Sequence, residues 1–256
     1  MCATCGCSNA SLATFGGGVR YRRVDRTEKT ERVIDVNERV LAKNDLYAQR
    51  NRAWLRAANV VALNLLSSPG SGKTTLLERT LREVGAERAF RVIEGDQETA
   101  LDAERIRATG FEAIQINTGS GCHLEAEMIG RALATLAPPA GAVVMIENVG
   151  NLVCPALFDL GENAKVVLAS VTEGDDKPLK YPHMFRAATL VVLNKIDLLR
   201  HVPFDVSRFV EHVHRLNPSA PVLALSALTG EGMSFWYQWL RSRTARLAVD
   251  QAAVTV

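Results

Sequence analysis

The sequence predicts an α/β protein built on a mostly parallel, doubly wound sheet, and three observations carry this. Short runs rich in Val, Ile and Leu alternate with helix-length segments from residue 60 to residue 243. Most of those runs are continuously apolar, as strands covered on both faces must be, and repeated βα alternation implies parallel pairing. The first run, Val60-Val61-Ala62-Leu63-Asn64-Leu65-Leu66, leads directly into Ser67-Ser68-Pro69-Gly70-Ser71-Gly72-Lys73-Thr74-Thr75, a loop of the phosphate-binding type.

In chain order, residues 1–35 read as a Cys-rich head on a polar tether. Ser8-Asn9, Gly16-Gly17-Gly18 and the charged run from Arg20 to Arg32 offer little periodic apolar surface to bury. Over 36–58 the pairs Val40-Leu41, Tyr47-Ala48 and Trp54-Leu55 recur at heptad spacing among charges, which predicts an amphipathic helix. A helix follows the phosphate loop over 74–84. Strands are then expected at 91–94, 113–116, 142–147, 165–171, 189–194 and 222–225, and helices at 99–109, 122–136, 178–186, 205–216 and 232–243. The nucleotide-binding domain is thus expected over 36–243, with a frayed C-terminal tail over 244–256.

Composition narrows the function classes. The chain has 256 residues, 47% of them hydrophobic and 23% charged, enough to bury a core. A net charge of +2 argues against nucleic acid or a membrane surface as partner. No apolar run approaches the roughly 18–20 residues of a membrane span, and the N-terminus lacks the basic-then-apolar pattern of a secretory signal. A cytoplasmic location is therefore expected. The five cysteines are an odd number, unsuited to a closed disulfide framework, and a reducing compartment would leave them free for metal.

The phosphate loop departs from G-x-x-x-x-G-K-[ST] only in Ser67, which takes the first glycine position. Backbone N–H groups from Gly70 through Ser71 and Gly72 to Thr74 and Thr75 can face phosphate oxygens at a helix N-terminus. Lys73 would bridge the β- and γ-phosphates, and Thr74 would offer its hydroxyl to Mg2+. A second motif, Asn194-Lys195-Ile196-Asp197, closes the strand Leu190-Val191-Val192-Leu193. A carboxylate at Asp197 can accept from guanine N1–H and the 2-amino group, a donor pair adenine lacks, so GTP is the expected nucleotide. Ser226-Ala227-Leu228 matches the loop that backs the base in such proteins. Two acidic positions can complete the site: Asp96 in Glu94-Gly95-Asp96, to orient Mg2+ or the attacking water, and Glu147 in Glu147-Asn148-Val149-Gly150, placed like a γ-phosphate sensor. The rival reading, an ordinary acidic residue at a strand end, weighs as much as the functional one for Asp96 and less for Glu147. Lys177 and Lys180 are available cations for the phosphates, or members of a solvated charged loop.

Soft ligands occur twice. Cys2, Cys5 and Cys7 crowd the first seven residues, and thiolates select nickel, zinc or copper over magnesium or calcium. Cys2 is small enough for Met1 to be removed after synthesis, which would free an α-amine as a further ligand. A Cys-x-x-Cys redox pair is the rival reading, but no strand precedes it. Cys122-His123 is expected to open a helix, whose N-terminus would favour a thiolate, and Cys154 lies just beyond Gly150. The three could bind zinc or nickel, or be two buried cysteines and a capping histidine.

Together the Cys2/Cys5/Cys7 head, the Ser67–Thr74 loop, Cys122-His123, the Glu147–Pro155 segment and Glu173-Gly174-Asp175-Asp176-Lys177-Pro178-Leu179-Lys180-Tyr181-Pro182 resemble the HypB family of hydrogenase nickel-incorporation GTPases. The resemblance implies a dimerising, metal-handling P-loop GTPase, a metallochaperone that delivers nickel during [NiFe]-hydrogenase maturation. Its implied cofactors are GTP, Mg2+, Ni2+ and Zn2+. Its implied partners are a second copy of the chain, other maturation proteins and the hydrogenase large-subunit precursor. It implies a tight nickel site at Cys2, Cys5 and Cys7 and a weaker nickel or zinc site at Cys122, His123 and Cys154. Some members carry a His-rich stretch for nickel storage, and this chain has none. A urease-type nickel GTPase would lack the cysteine head and carry Cys-Pro-His, whereas Ala156 follows Cys154-Pro155 here. A kinase-like P-loop enzyme is disfavoured by Asp197. A zinc-binding adaptor with an idle nucleotide site would show no GTP turnover.

Overall fold

The computed structural model describes residues 27–96, 101–119 and 121–253, with side chains over 39–96, 102–119 and 121–245. Cys2, Cys5 and Cys7 lie outside the described residues. A long helix α1 (Thr27–Ala57) precedes β1 (Val61–Ser67) and α2 (Lys73–Val84). There follow β2 (Phe90–Asp96), α3 (Leu101–Arg107), β3 (Ala113–Asn117), α4 (Ala126–Leu136), β4 (Val143–Glu147), α5 (Cys154–Leu157) and β5 (Ala164–Ser170). The chain ends with α6 (Lys177–Lys180), α7 (Pro182–Ala187), β6 (Leu190–Asn194), α8 (Val206–Leu216), β7 (Val222–Ala224) and α9 (Met233–Ala253).

Seven strands among the described residues form one sheet in the order β3-β2-β4-β1-β5-β6-β7, and each of these pairings is parallel. Alternation along β1 divides the core. Leu63 and Leu65 join Leu76, Leu77, Leu81, Trp236 and Leu240 under α2 and α9. Ala62 joins Leu55, Ile129 and Leu133 under α1 and α4. Leu66 joins Met184, Phe185, Phe209 and Val213 under α7 and α8. The sheet is thus covered on both faces, and the strand C-termini on either side of β1 open one crevice, the expected ligand position in such sheets.

Several boundaries differ from the sequence expectation. The helix α1 begins at Thr27, inside the expected tether, because no Gly or Pro interrupts residues 27–57. The expected helix over 178–186 divides at Pro182, which lacks an N–H and constrains Tyr181. At the C-terminus α9 runs to Ala253, through the expected tail, and Thr244 is buried. The helix expected from Cys122 begins only at Ala126. There Asn44 of α1 accepts the Ala126 N–H at 2.8 Å, so the cap comes from another helix. The short helix α5 has no expected counterpart.

Candidate functional site

β1 delivers Ser67, and α2 starts at Lys73. Between them Gly72 takes φ 99°, and a Cβ there would meet Asn194 Nδ2 at 2.5 Å, so only glycine fits. Asn194 is a clamp: its Nδ2 donates to Ser71 O at 2.9 Å, and its Oδ1 accepts the Ala227 N–H at 3.0 Å. One carboxamide thereby joins the phosphate loop, the end of β6 and the Ser226-Ala227 loop. Ser226 Oγ accepts from Thr229 N at 3.1 Å, which turns that loop. Lys195 donates from Nζ to Gly70 O at 2.6 Å. From α2, Arg79 donates to Ala227 O at 3.1 Å and Leu228 O at 2.8 Å, an underpinning the sequence reading missed. Asp197 Oδ1 is buried with no hydrogen-bond partner among the described residues.

Ser67, the departure from the glycine pattern, accepts from Lys73 Nζ at 2.9 Å. A cleft of about 540 Å³ opens above, lined by Gly70, Thr75, Asp96 and Asp102 among others. At its floor, parallel register sets Glu94 of β2 opposite Glu147 of β4. Thr74 Oγ1 donates to Glu147 Oε1 at 2.8 Å, and Lys73 Nζ lies 4.0 Å from the same oxygen. Burial raises both carboxyl pKa values above the ordinary range; repulsion between the two adds to the rise at Glu94, while Lys73 opposes the rise at Glu147. Among the described residues, Glu94 Oε1 and Glu147 Oε2 are buried without hydrogen-bond partners. Two orphaned carboxylate oxygens, a threonine hydroxyl and nearby Asp96 are the hard oxygen set that Mg2+ takes, so the residues fit that ion. Glu94 thus joins Asp96, the acid expected from the sequence, at the cleft floor. Its position beside the phosphate loop at the C-terminal end of a parallel strand was the available signal.

The two lysines of the acidic loop separate. Lys177 is buried, donates to Ser68 Oγ and pairs with Glu173 at 2.7 Å, while Glu173 also accepts from Ser71 Oγ at 2.8 Å. Lys180 is largely exposed and pairs with Asp176 at 2.7 Å. Lys177 thus braces the phosphate loop within one chain, and only Lys180 is the solvated cation.

A few residues along the same rim, Cys122, His123 and Cys154 converge, with one ligand atom of each within 4.8 Å of the others. Cys122 Sγ and His123 Nδ1 are 3.6 Å apart. His123 lies over the Phe158 ring at 3.8 Å between centroids, and its buried Nε2 has no hydrogen-bond partner among the described residues. Burial lowers its pKa, which keeps the imidazole in the neutral, ligating form. The soft N/S set suits nickel or zinc. Cys122 precedes α4 by a loop, so the helix field expected to act on its thiol does not reach it.

The family model described as "CobW/HypB/UreG, nucleotide-binding domain" matches residues 61–224. The chain is 56% identical over 219 residues to the hydrogenase maturation factor HypB of Rhizobium leguminosarum bv. viciae, spanning 86% of this chain and 73% of that protein. It is 54% identical over 212 residues to the Escherichia coli K12 protein of the same name, spanning 83% of this chain and 73% of that one. The crystal structure of HypB from Helicobacter pylori in complex with nickel matches with a TM-score of 0.76 at 40% identity, covering 80% of this chain and 96% of that one. The Archaeoglobus fulgidus HypB structure matches with a TM-score of 0.75 at 42% identity, covering 80% of this chain and all of the other (100%).

Proposed function

The chain belongs to the HypB family of hydrogenase maturation GTPases, and from that premise we propose how its residues divide the work. GTP binds with its base on Asp197, between Lys195 and the Ser226-Ala227 loop, and its phosphates over Gly70–Thr75. Lys73 leaves Ser67 to neutralise the β- and γ-phosphates. Thr74, Glu147, Asp96 and Glu94 would hold Mg2+, which neutralises phosphate charge when bound. Asp96 also orients the attacking water, and the Glu147–Gly150 segment senses the γ-phosphate. The catalysis is positioning and electrostatics.

Nickel is the cargo. The Cys2/Cys5/Cys7 head captures it, and Cys122, His123 and Cys154 hold nickel or zinc in a second site governed by the nucleotide. The observation that carries this is the cluster itself: Cys154 continues the segment that begins with Glu147 in the nucleotide cleft. GTP pairs two copies of the chain, and hydrolysis alters metal affinity for release toward other maturation proteins and the hydrogenase precursor. Linkage makes the effect reciprocal, so metal must alter nucleotide binding by the same free energy.

Nickel and zinc stoichiometry of the full chain, with and without a non-hydrolysable GTP analogue, tests this. Replacing Cys2, Cys5 and Cys7 by Ala is expected to remove one tight nickel site and leave a second that responds to nucleotide. Nickel binding in neither protein, with zinc indifferent to nucleotide, would sink the delivery reading.

A further inference from the structure

Asn148 stands between the two sites. It is buried, lines the nucleotide cleft, and directly follows Glu147. Its Oδ1 accepts the N–H of Leu124 at 3.3 Å and of Val149 at 3.0 Å. Leu124 is the residue after His123, so the metal-cluster loop is fastened to the nucleotide switch by this carboxamide. Leu124 also packs on the Glu94-Gly95-Asp96 end of β2 so closely that a Cβ on Gly95 would meet it at 2.8 Å. Asn151 adds a tie, donating to Cys122 O at 3.3 Å.

The orientation of Asn148 is imposed from deeper in the sheet. Glu162, buried, accepts from Leu160 N at 2.7 Å and from Asn64 Nδ2 at 3.1 Å, with Lys165 at 3.7 Å. Burial, with the Asp159 carboxylate beside it, raises the Glu162 pKa, but the oxygen facing Asn64, Oε1, also faces the Lys165 ammonium, which can only donate, so Oε1 acts as an acceptor. Asn64, in the centre of β1, must therefore turn its amino group to Glu162 and its oxygen to Asn148, whose Nδ2 donates to it at 3.2 Å. That leaves Asn148 Oδ1 toward Leu124. The other end of the chain also returns to the metal cluster, because Leu160 follows the loop whose Phe158 covers His123.

We propose that Asn148, held in one orientation by Asn64 and Glu162, is the positioning residue through which nucleotide state sets the geometry of the Cys122–His123–Cys154 cluster. A shift of the 147–150 segment toward a γ-phosphate withdraws the acceptor from Leu124 N–H. A buried amide left unpaired is costly, so the 122–124 loop must follow. The inference rests on the nucleotide-governed metal site proposed above.

The test uses the full chain carrying Cys2, Cys5 and Cys7 replaced by Ala, so that only the internal site is titrated. Affinities for Ni2+ alone and for Zn2+ alone are measured by chelator competition, with GDP–Mg2+ and with a GTP analogue–Mg2+. The readout is the ratio of the two affinities for one metal. The parent is expected to show a ratio of about tenfold or more, equivalent to about 1.4 kcal/mol. Asn148→Ala, and independently Asn64→Ser, which touches neither nucleotide cleft nor metal ligands, are expected to bring the ratio within about twofold while metal still binds. Thermal unfolding checks that each variant is folded, and Asn64→Ser keeps the test open if Asn148→Ala does not fold. A parent ratio retained in both variants would overturn the role of Asn148 and leave the nucleotide-governed site standing. A parent ratio of one would overturn both.

Discussion

At the scale of single residues, the nucleotide site reduces to a few atoms with one task each. Asp197 is the carboxylate proposed to accept from the guanine edge. In Asp197→Asn one acceptor becomes a donor, which suits a base with a carbonyl where guanine has its amino group. GTP affinity is expected to fall on the order of 10²-fold or more, with xanthosine triphosphate binding better than GTP in a nucleotide competition assay. Gly72→Ala carries two penalties, a left-handed φ of 99° and a Cβ 2.5 Å from the Asn194 amide. Strain of about 1–2 kcal/mol would be relieved by pushing Asn194 off Ser71 and Ala227. Calorimetry should find GDP and GTP both weakened by about tenfold or more. Most of these residues were legible because short motifs fix them in a row. Glu94, Arg79 and Asn64 were not, since each acquires its partner from a distant strand or loop, and local spacing does not encode that pairing.

At the scale of elements, β2 and β4 meet with two carboxyls facing each other in the cleft floor. A carboxyl whose pKa is higher folded than unfolded holds a proton that the unfolded chain releases. Its contribution is complete below the unfolded value, 4.5, and is lost as pH rises through the folded value. In nucleotide-free, metal-free buffer the melting temperature is therefore expected to fall between about pH 6 and about pH 8, with a limit near 1.4 kcal/mol per pH unit for each proton. Glu94→Gln should flatten that slope, and an equal slope in wild type and variant would count against the pair. On the opposite side of α2, the fully buried Trp236 of α9 donates from Nε1 to Thr80 at 2.9 Å. Trp236→Ala is expected to cost about 3–5 kcal/mol in urea unfolding. The strands themselves were readable to within a residue or two, because continuous apolar runs have no other use here. The N-terminus of α4 was misplaced because its cap, Asn44, comes from a helix far away in sequence.

At the scale of the whole molecule, both sites lie along the rim formed by the strand C-termini, and the metal cluster is next to surface rather than core. Val153 and Leu157 flank Cys154 and are about half exposed, at 50% and 49%. If GTP pairs two copies across this rim, those side chains become covered. Light scattering should give a doubled mass with a GTP analogue and Mg2+ but not with GDP, and Leu157→Asp should hold the protein as a monomer in both. A sequence states which residues are apolar, whereas their exposure depends on how α5 is laid against its neighbours.

The helix α1 gives this arrangement a mechanical side. It is 31 residues long, about 46 Å at 1.5 Å per residue. Asn44 on this rod binds Ala126 N and Asp159 O, and Asn51 binds Ala126 O and Leu160 O. Those anchorages are the first residue of α4 and the loop that seats Phe158 against His123. The rod therefore rests on the metal cluster's own foundations, and a tilt of its outer end would bear on ligands it does not touch.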